Sequence, residues 1–166
     1  MPILVLLRHA KSDYPSGVPD HERPLSARGM RNAETIARYL SEFLPAEATV
    51  DVAVSTAART QRTWQVVAPH ITRPGQLWSD ASLYLAAPST IEEVATCFDS
   101  HVGIIVGHNP GLEDLAASFP AADSQIRSAM TEKFPTAAFA VVAIPGNGWT
   151  DWRSRDSTCV AFVTCR

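Results

Sequence analysis

Ile3-Leu4-Val5-Leu6-Leu7-Arg8-His9-Ala10 follows directly on Met1-Pro2. Five consecutive apolar residues broken by an abrupt Arg-His pair read as a short strand buried on both faces, as in a parallel sheet covered by helices. The pair then falls at the carboxyl end of the strand, the edge where open α/β sheets place their ligands. Two later stretches repeat the pattern. Val50-Asp51-Val52-Ala53-Val54 runs into Ser55-Thr56-Ala57-Ala58-Arg59-Thr60, and Val102-Gly103-Ile104-Ile105-Val106 runs into Gly107-His108-Asn109-Pro110-Gly111. Each predicts a buried strand, a tight polar turn and a helix start. If the three strands are parallel neighbours, Arg8, His9, Arg59 and His108 converge on one edge of one sheet. Two guanidiniums and two imidazoles in one crevice call for an anion. The arginine fork matches phosphate oxygens, and the helix starts after Ser55 and Pro110 add backbone donors, so the pattern points to a phosphoryl-binding site.

The remaining sequence alternates strand and helix signals as an α/β chain does. A helix is expected from Ala27 to Leu44, with Ala33, Ile36, Ala37, Leu40 and Leu44 on one face. A second is expected from Arg59 to Ala68, stopped by Pro69. Leu77-Trp78 suggests a short strand, and Ser82 to Ala86 is open to either reading. A capping box, Ser89 to Glu92 or Thr90 to Glu93, opens a helix towards Phe98. Leu112 to Phe119 reads as a short helix. Residues 120–134 carry no clear period and read as a mobile loop over the site. Phe139 to Ile144 and a return beginning with Trp149 to Arg153 read as a hairpin, joined by Pro145-Gly146-Asn147-Gly148. Cys159 to Thr164 suggests a last strand segment.

With 166 residues, 46% of them apolar, the chain can bury a full core and is expected to form one domain over 1–166. Its net charge of −3 comes without a basic cluster, which argues against a nucleic-acid partner. The opening apolar run is too short for a membrane span or a signal-peptide core. Cys97, Cys159 and Cys165 lack metal-ligand spacing and read as free thiols in a reducing cytoplasm. No metal site and no cofactor are expected.

At these residues the chain resembles the histidine phosphatase superfamily, and within it the small SixA-type phosphohistidine phosphatases. The resemblance is carried by five pieces in family order: Arg8-His9-Ala10-Lys11-Ser12; Asp20-His21-Glu22-Arg23-Pro24-Leu25-Ser26 with Gly29 and Ala33 after it; Ser55 to Thr60; Gly107 to Gly111; and Pro135-Thr136 before an apolar strand. It implies a phosphoglycerate mutase-like three-layer αβα sandwich with a mostly parallel central sheet and no large cap insertion. It also implies covalent catalysis. His9 would be the nucleophile, Arg8 and Arg59 would hold the equatorial oxygens, and His108 would donate to the same oxygens. Ser55 and Asn109 are further substrate-binding candidates, although Ser55 equally suits a helix N-cap and Asn109 a turn before Pro110, with orienting His108 as another option. Asp20 and Arg23 are expected to pair within their loop. Lys11 either lines the pocket mouth or is solvated.

Three departures from the superfamily pattern matter. Ala10 replaces a common Gly, which is tolerable if φ is negative there. Arg62 stands where Gln is common and adds a positive charge near the pocket rim. Most informative, Leu83-Tyr84-Leu85 has no carboxylate where phosphomonoesterases of the superfamily carry a Glu as general acid. Such an acid is worth roughly 10²–10⁴ in rate for an alkoxide leaving group, whereas an imidazole leaves readily without one. The expected substrate is therefore a phosphorylated protein, as phosphohistidine, rather than a small phosphorylated molecule. Tyr84, Asp80 and Glu113 are the candidates if an acid exists. The alternatives are a small-molecule phosphomonoesterase and a phosphate-binding regulator without turnover.

Overall fold

The computed structural model describes residues 1–150, 152 and 156–165. Six strands form one sheet: β1 (Ile3–Arg8), β2 (Val50–Ser55), β3 (Pro74–Asp80), β4 (Val102–Gly107), β5 (Phe139–Ala143) and β6 (Thr158–Val163), in the order β3-β2-β4-β1-β5-β6. The first four run parallel, β5 is antiparallel to β1, and β6 is antiparallel to β5. The three apolar runs that end in Arg or His turns are thus adjacent, β2-β4-β1, with Leu7 opposite Val106 and Val106 opposite Val54. Their carboxyl ends meet at one edge.

Strand alternation sends side chains to two cores. On β1, Leu4 and Leu6 pack on one face while Val5 and Leu7 pack on the other. The first core is closed by α3 (Pro88–Ala95) and α4 (Gly111–Ser118), the second by α1 (Ala27–Phe43) and α2 (Ala58–Val67). The result is an α/β fold of three layers. The buried stripe of α1 is Gly29, Ala33, Ile36, Ala37 and Leu40, and Ser26 caps the helix by accepting from the Gly29 amide at 2.9 Å. Leu44 packs on the second core just past the helix end.

Three local expectations need correction, and a fourth, the Leu77-Trp78 strand, is met and lengthened. Residues 120–134 are not a loop over the site. They contain α5 (Ser124–Glu132), capped by the Asp123 carboxylate, with Ile126 and Met130 against the first core. Neither capping box forms: Ala87 is the N-cap of α3, and Pro88 occupies the first turn, where a missing N–H costs nothing. Leu77-Trp78 belongs to a full seven-residue strand, the edge strand β3. The hairpin return starts at Thr158; Trp149 lies outside any strand, and Asp151 and Arg153 lie outside the described residues. Among the described residues no helix is long and apolar enough to cross a membrane.

Candidate active site

Arg8 ends β1 and His9 follows it, with the His9 amide donating to the Gly107 carbonyl at 3.2 Å across the β1–β4 seam. The His9 ring nitrogen Nδ1 lies 2.8 Å from the Ala10 carbonyl, an acceptor, so Nδ1 carries the proton and Nε2 keeps its lone pair. Ala10 is absent from the positive-φ residues, as its side chain requires, and its amide donates to Thr63 Oγ1 at 3.0 Å. Thr63 in turn donates to the Arg59 carbonyl at 2.7 Å, which ties the His9 loop to the first turns of α2.

Arg59 is only 4% exposed, yet every part of its guanidinium is used. Nε donates to His9 Nε2 at 3.3 Å, Nη1 to the Asp20 backbone carbonyl at 2.7 Å and Nη2 to the Asp20 carboxylate at 3.1 Å. Asp20 also pairs with Arg23 at 3.4 Å and accepts from the Tyr84 hydroxyl. Hydrogen bonding from Tyr84, then from Arg59, holds the Asp20 carboxyl below its ordinary value, while the same bond raises Tyr84. Arg8 Nη1 donates to the Phe134 carbonyl at 2.9 Å, and its buried Nε has no hydrogen-bond partner among the described residues. Burial lowers the Arg8 pKa, offset first by Glu113, whose carboxylate accepts from the Phe134 amide at 3.0 Å.

His108 faces His9 with ring centroids 5.2 Å apart, and its Nε2 lies 2.8 Å from Ser55 Oγ. Burial comes first in pushing His9 down to about 3 and His108 down to about 4; the neighbouring arginines push both in the same direction. Both rings are neutral at pH 7. A cavity of about 180 Å³ opens over them, lined by Arg8, His9, Lys11, Ser12, Tyr14, Asp20, Arg23, Arg59, Leu85, His108, Asn109 and Thr136. Four cationic side chains therefore face one carboxylate. Larger recesses exist, such as one of about 570 Å³ beside Met1, Phe98 and Trp149, but among the described residues no arginine or lysine lines it. Among the described residues no group of three or more His, Cys, Asp or Glu could hold a metal.

Arg8, His9, Arg59 and His108 are thus brought together, and Asn109 and Lys11 line the same cavity. Ser55 reaches it only through His108: Ala57, not Ser55, is the N-cap of α2, and at the start of that helix the Ser55 hydroxyl accepts only from the Ala57 amide, at 3.5 Å. Asn109 makes no bond to His108; its amide donates to the Phe134 carbonyl at 2.9 Å. Both helix starts lack side-chain caps, which leaves first-turn amides without side-chain partners. Arg62 is exposed, bonds Gln65 at 3.0 Å and does not line the cavity. Asp80 bonds Ser82, and Glu113 lies behind Arg8; neither lines the cavity.

The sequence points to neither Thr63 nor Tyr14 nor the Asp20–Arg59 contact, and it offers Thr136 only as part of the Pro135-Thr136 piece, without a place in the cavity. Thr63 stood one helical turn after Arg59, a signal that the i,i+4 spacing contains. Sequence reading also missed two left-handed residues beside the site, Leu85 at φ 51° and Ala137 at φ 56°, the latter donating to the His9 carbonyl at 3.0 Å. Strain of this kind gathers where surrounding contacts dictate the backbone.

Residues 4–81 match the family model described as histidine phosphatase superfamily (branch 1). An uncharacterized protein of Mycobacterium tuberculosis is 38% identical over 163 residues, covering 95% of this chain and 96% of its own. The solved structure assigned as the phosphohistidine phosphatase SixA of Nakamurella multipartitia superposes with a TM-score of 0.80 at 27% identity, covering 98% of this chain and 95% of the other. Its counterpart from Agrobacterium tumefaciens gives 0.75 at 25% identity, covering 98% of each chain.

Proposed function

Since the chain belongs to the histidine phosphatase superfamily and is a phosphatase of SixA type, we propose that it removes phosphoryl groups from phosphohistidine side chains on a partner protein, with residues 1–166 acting as one catalytic domain. His9 is the nucleophile. Its Nε2 lone pair forms a bond to phosphorus while the bond from phosphorus to the leaving imidazole nitrogen breaks, and the electron pair goes to that nitrogen. An imidazole protonated on its other nitrogen departs neutral. Water then attacks the phosphorus on His9, the P–Nε2 bond breaks, its electron pair returns to Nε2, and inorganic phosphate carries the oxygen of water. Arg59 Nε, which points at His9 Nε2 in the free protein, passes to an equatorial phosphoryl oxygen. Arg8 and His108 take the other oxygens, where the transferring group carries its charge.

One observation carries the choice of substrate. Asp20 is the only carboxylate among the described residues lining the cavity, and Arg59, Arg23 and Tyr84 hold it ionised. A carboxylate locked in that state is a poor proton donor, and Tyr84, pushed up by the same bond, is another. A site without an acid suits an imidazole leaving group better than an alkoxide. Free Cys97, Cys159 and Cys165, with Cys159 buried and pushed up to about 11, fit a reducing cytoplasm.

The test is a plot of log kcat/KM against leaving-group pKa for phosphohistidine, para-nitrophenyl phosphate and a series of alkyl and sugar phosphates. A steep fall with rising pKa is expected. A flat plot would mean that an acid serves the site and would favour a small-molecule phosphomonoesterase.

A further inference from the structure

Phosphoryl transfer in line places the leaving group opposite the nucleophile. His9 is buried, so its opposite side is the cavity mouth. Tyr14 lines the cavity and, at 73% exposed, belongs to its solvent side. An exposed tyrosine ordinarily swings in solvent. This one is held: the Arg23 guanidinium lies 3.7 Å from its ring centroid, within the range of a stacked cation. Arg23 is itself fixed, with a side chain only 13% exposed, tied to the Ser12 hydroxyl and to Asp20 at 3.4 Å. Lys11 approaches the same ring at 5.9 Å. The ring is therefore a flat surface braced by a cation that two further side chains anchor.

We propose that Tyr14 is a specificity-determining residue whose free surface receives a planar aromatic leaving group, the imidazole of phosphohistidine, in preference to an aliphatic amine. The inference rests on the function proposed above for the position of the phosphoryl group, and it adds a stacking contribution to the preference that leaving-group pKa already supplies among phosphoramidates. Phosphohistidine and phospholysine both carry a P–N bond, but only the first has a ring to stack. Aromatic stacking between two rings supports a difference of about 2- to 10-fold.

The measurement is the ratio of kcat/KM for a phosphohistidine peptide to that for the same peptide carrying phospholysine, in wild type, Tyr14→Ala and Tyr14→Phe, with the inhibition constant of vanadate alongside. The ratio should fall by about 3- to 10-fold in Tyr14→Ala and stay within about twofold of wild type in Tyr14→Phe, which keeps the ring. An unchanged ratio in Tyr14→Ala would overturn the proposal. So would an equal loss on both peptides together with weaker vanadate binding, which would mean that Tyr14 only braces Arg23. If wild type turns over neither peptide, the phosphohistidine reading fails separately. The ring is then judged on para-nitrophenyl phosphate against ethyl phosphate, by the same change of ratio.

Discussion

The Arg59 guanidinium is gripped at its end by Asp20 through Nη1 and Nη2, which leaves Nε directed at His9. Asp20 therefore acts as a positioning residue. Removing its carboxylate should loosen Arg59 without removing it. Asp20 is half-exposed, so the effect is that of a partly solvated ion pair. Asp20→Ala should raise KM and weaken vanadate inhibition by about threefold, and Asp20→Asn by less, because the backbone carbonyl and an amide oxygen still accept from Arg59. Tighter vanadate binding in Asp20→Ala would instead make Asp20 a competitor for the fork. The histidines supply a second prediction at this scale. With His9 near 3 and His108 near 4, kcat/KM corrected for substrate ionisation should stay level as the pH falls from about 8 to 5. An inflection near 6.5 would show a histidine titrating in its ordinary range.

At the scale of elements, two close approaches set the frame of the site. A Cβ at Gly29 would lie 2.0 Å from the Lys11 carbonyl oxygen, and one at Gly111 would lie 1.9 Å from that of Ala86. The second joins the start of α4, just after His108, to the turn that carries Tyr84. Gly111→Ala should cost about 1–3 kcal/mol in urea unfolding and lower kcat/KM together with stability. A variant as stable as wild type would show that this turn moves freely. These elements also explain what was legible beforehand. Arg8, His9, Arg59 and His108 could be placed because each sits at a fixed offset from an apolar strand end, and parallel neighbours bring such ends together. Helix α5 could not, because nine residues with only Ile126 and Met130 facing the core leave almost no period. Strand β3 is an exposed edge whose side chains carry little hydrophobic alternation. The Asp20–Arg59 contact joins residues 39 apart through a loop, which no local pattern encodes.

The whole molecule carries a net charge of −3, yet its cavity gathers Arg8, Lys11, Arg23 and Arg59 around a single carboxylate. Holding two buried histidines neutral beside these cations has a consequence for stability. Between about pH 6.5 and 4 the unfolded chain protonates both rings while the folded protein does not. The unfolded state then binds more protons, so stability must fall as the pH falls through that window. The lowered carboxyls Asp20 and Asp51 act in the same direction, but only below their ordinary 3.8. Urea midpoints measured from pH 7 to 4.5 should therefore decline in wild type and decline less in His9→Gln; an identical decline would contradict the neutral assignment of His9. The central claim, that the phosphoryl group passes through His9, is tested most directly by trapping it. Rapid alkaline quenching during turnover of a labelled phosphohistidine protein should yield a base-stable, acid-labile label on the peptide containing His9. The label should be absent from His9→Ala, folded by circular dichroism and without turnover. Label on another residue, or turnover retained by His9→Ala, would contradict the account.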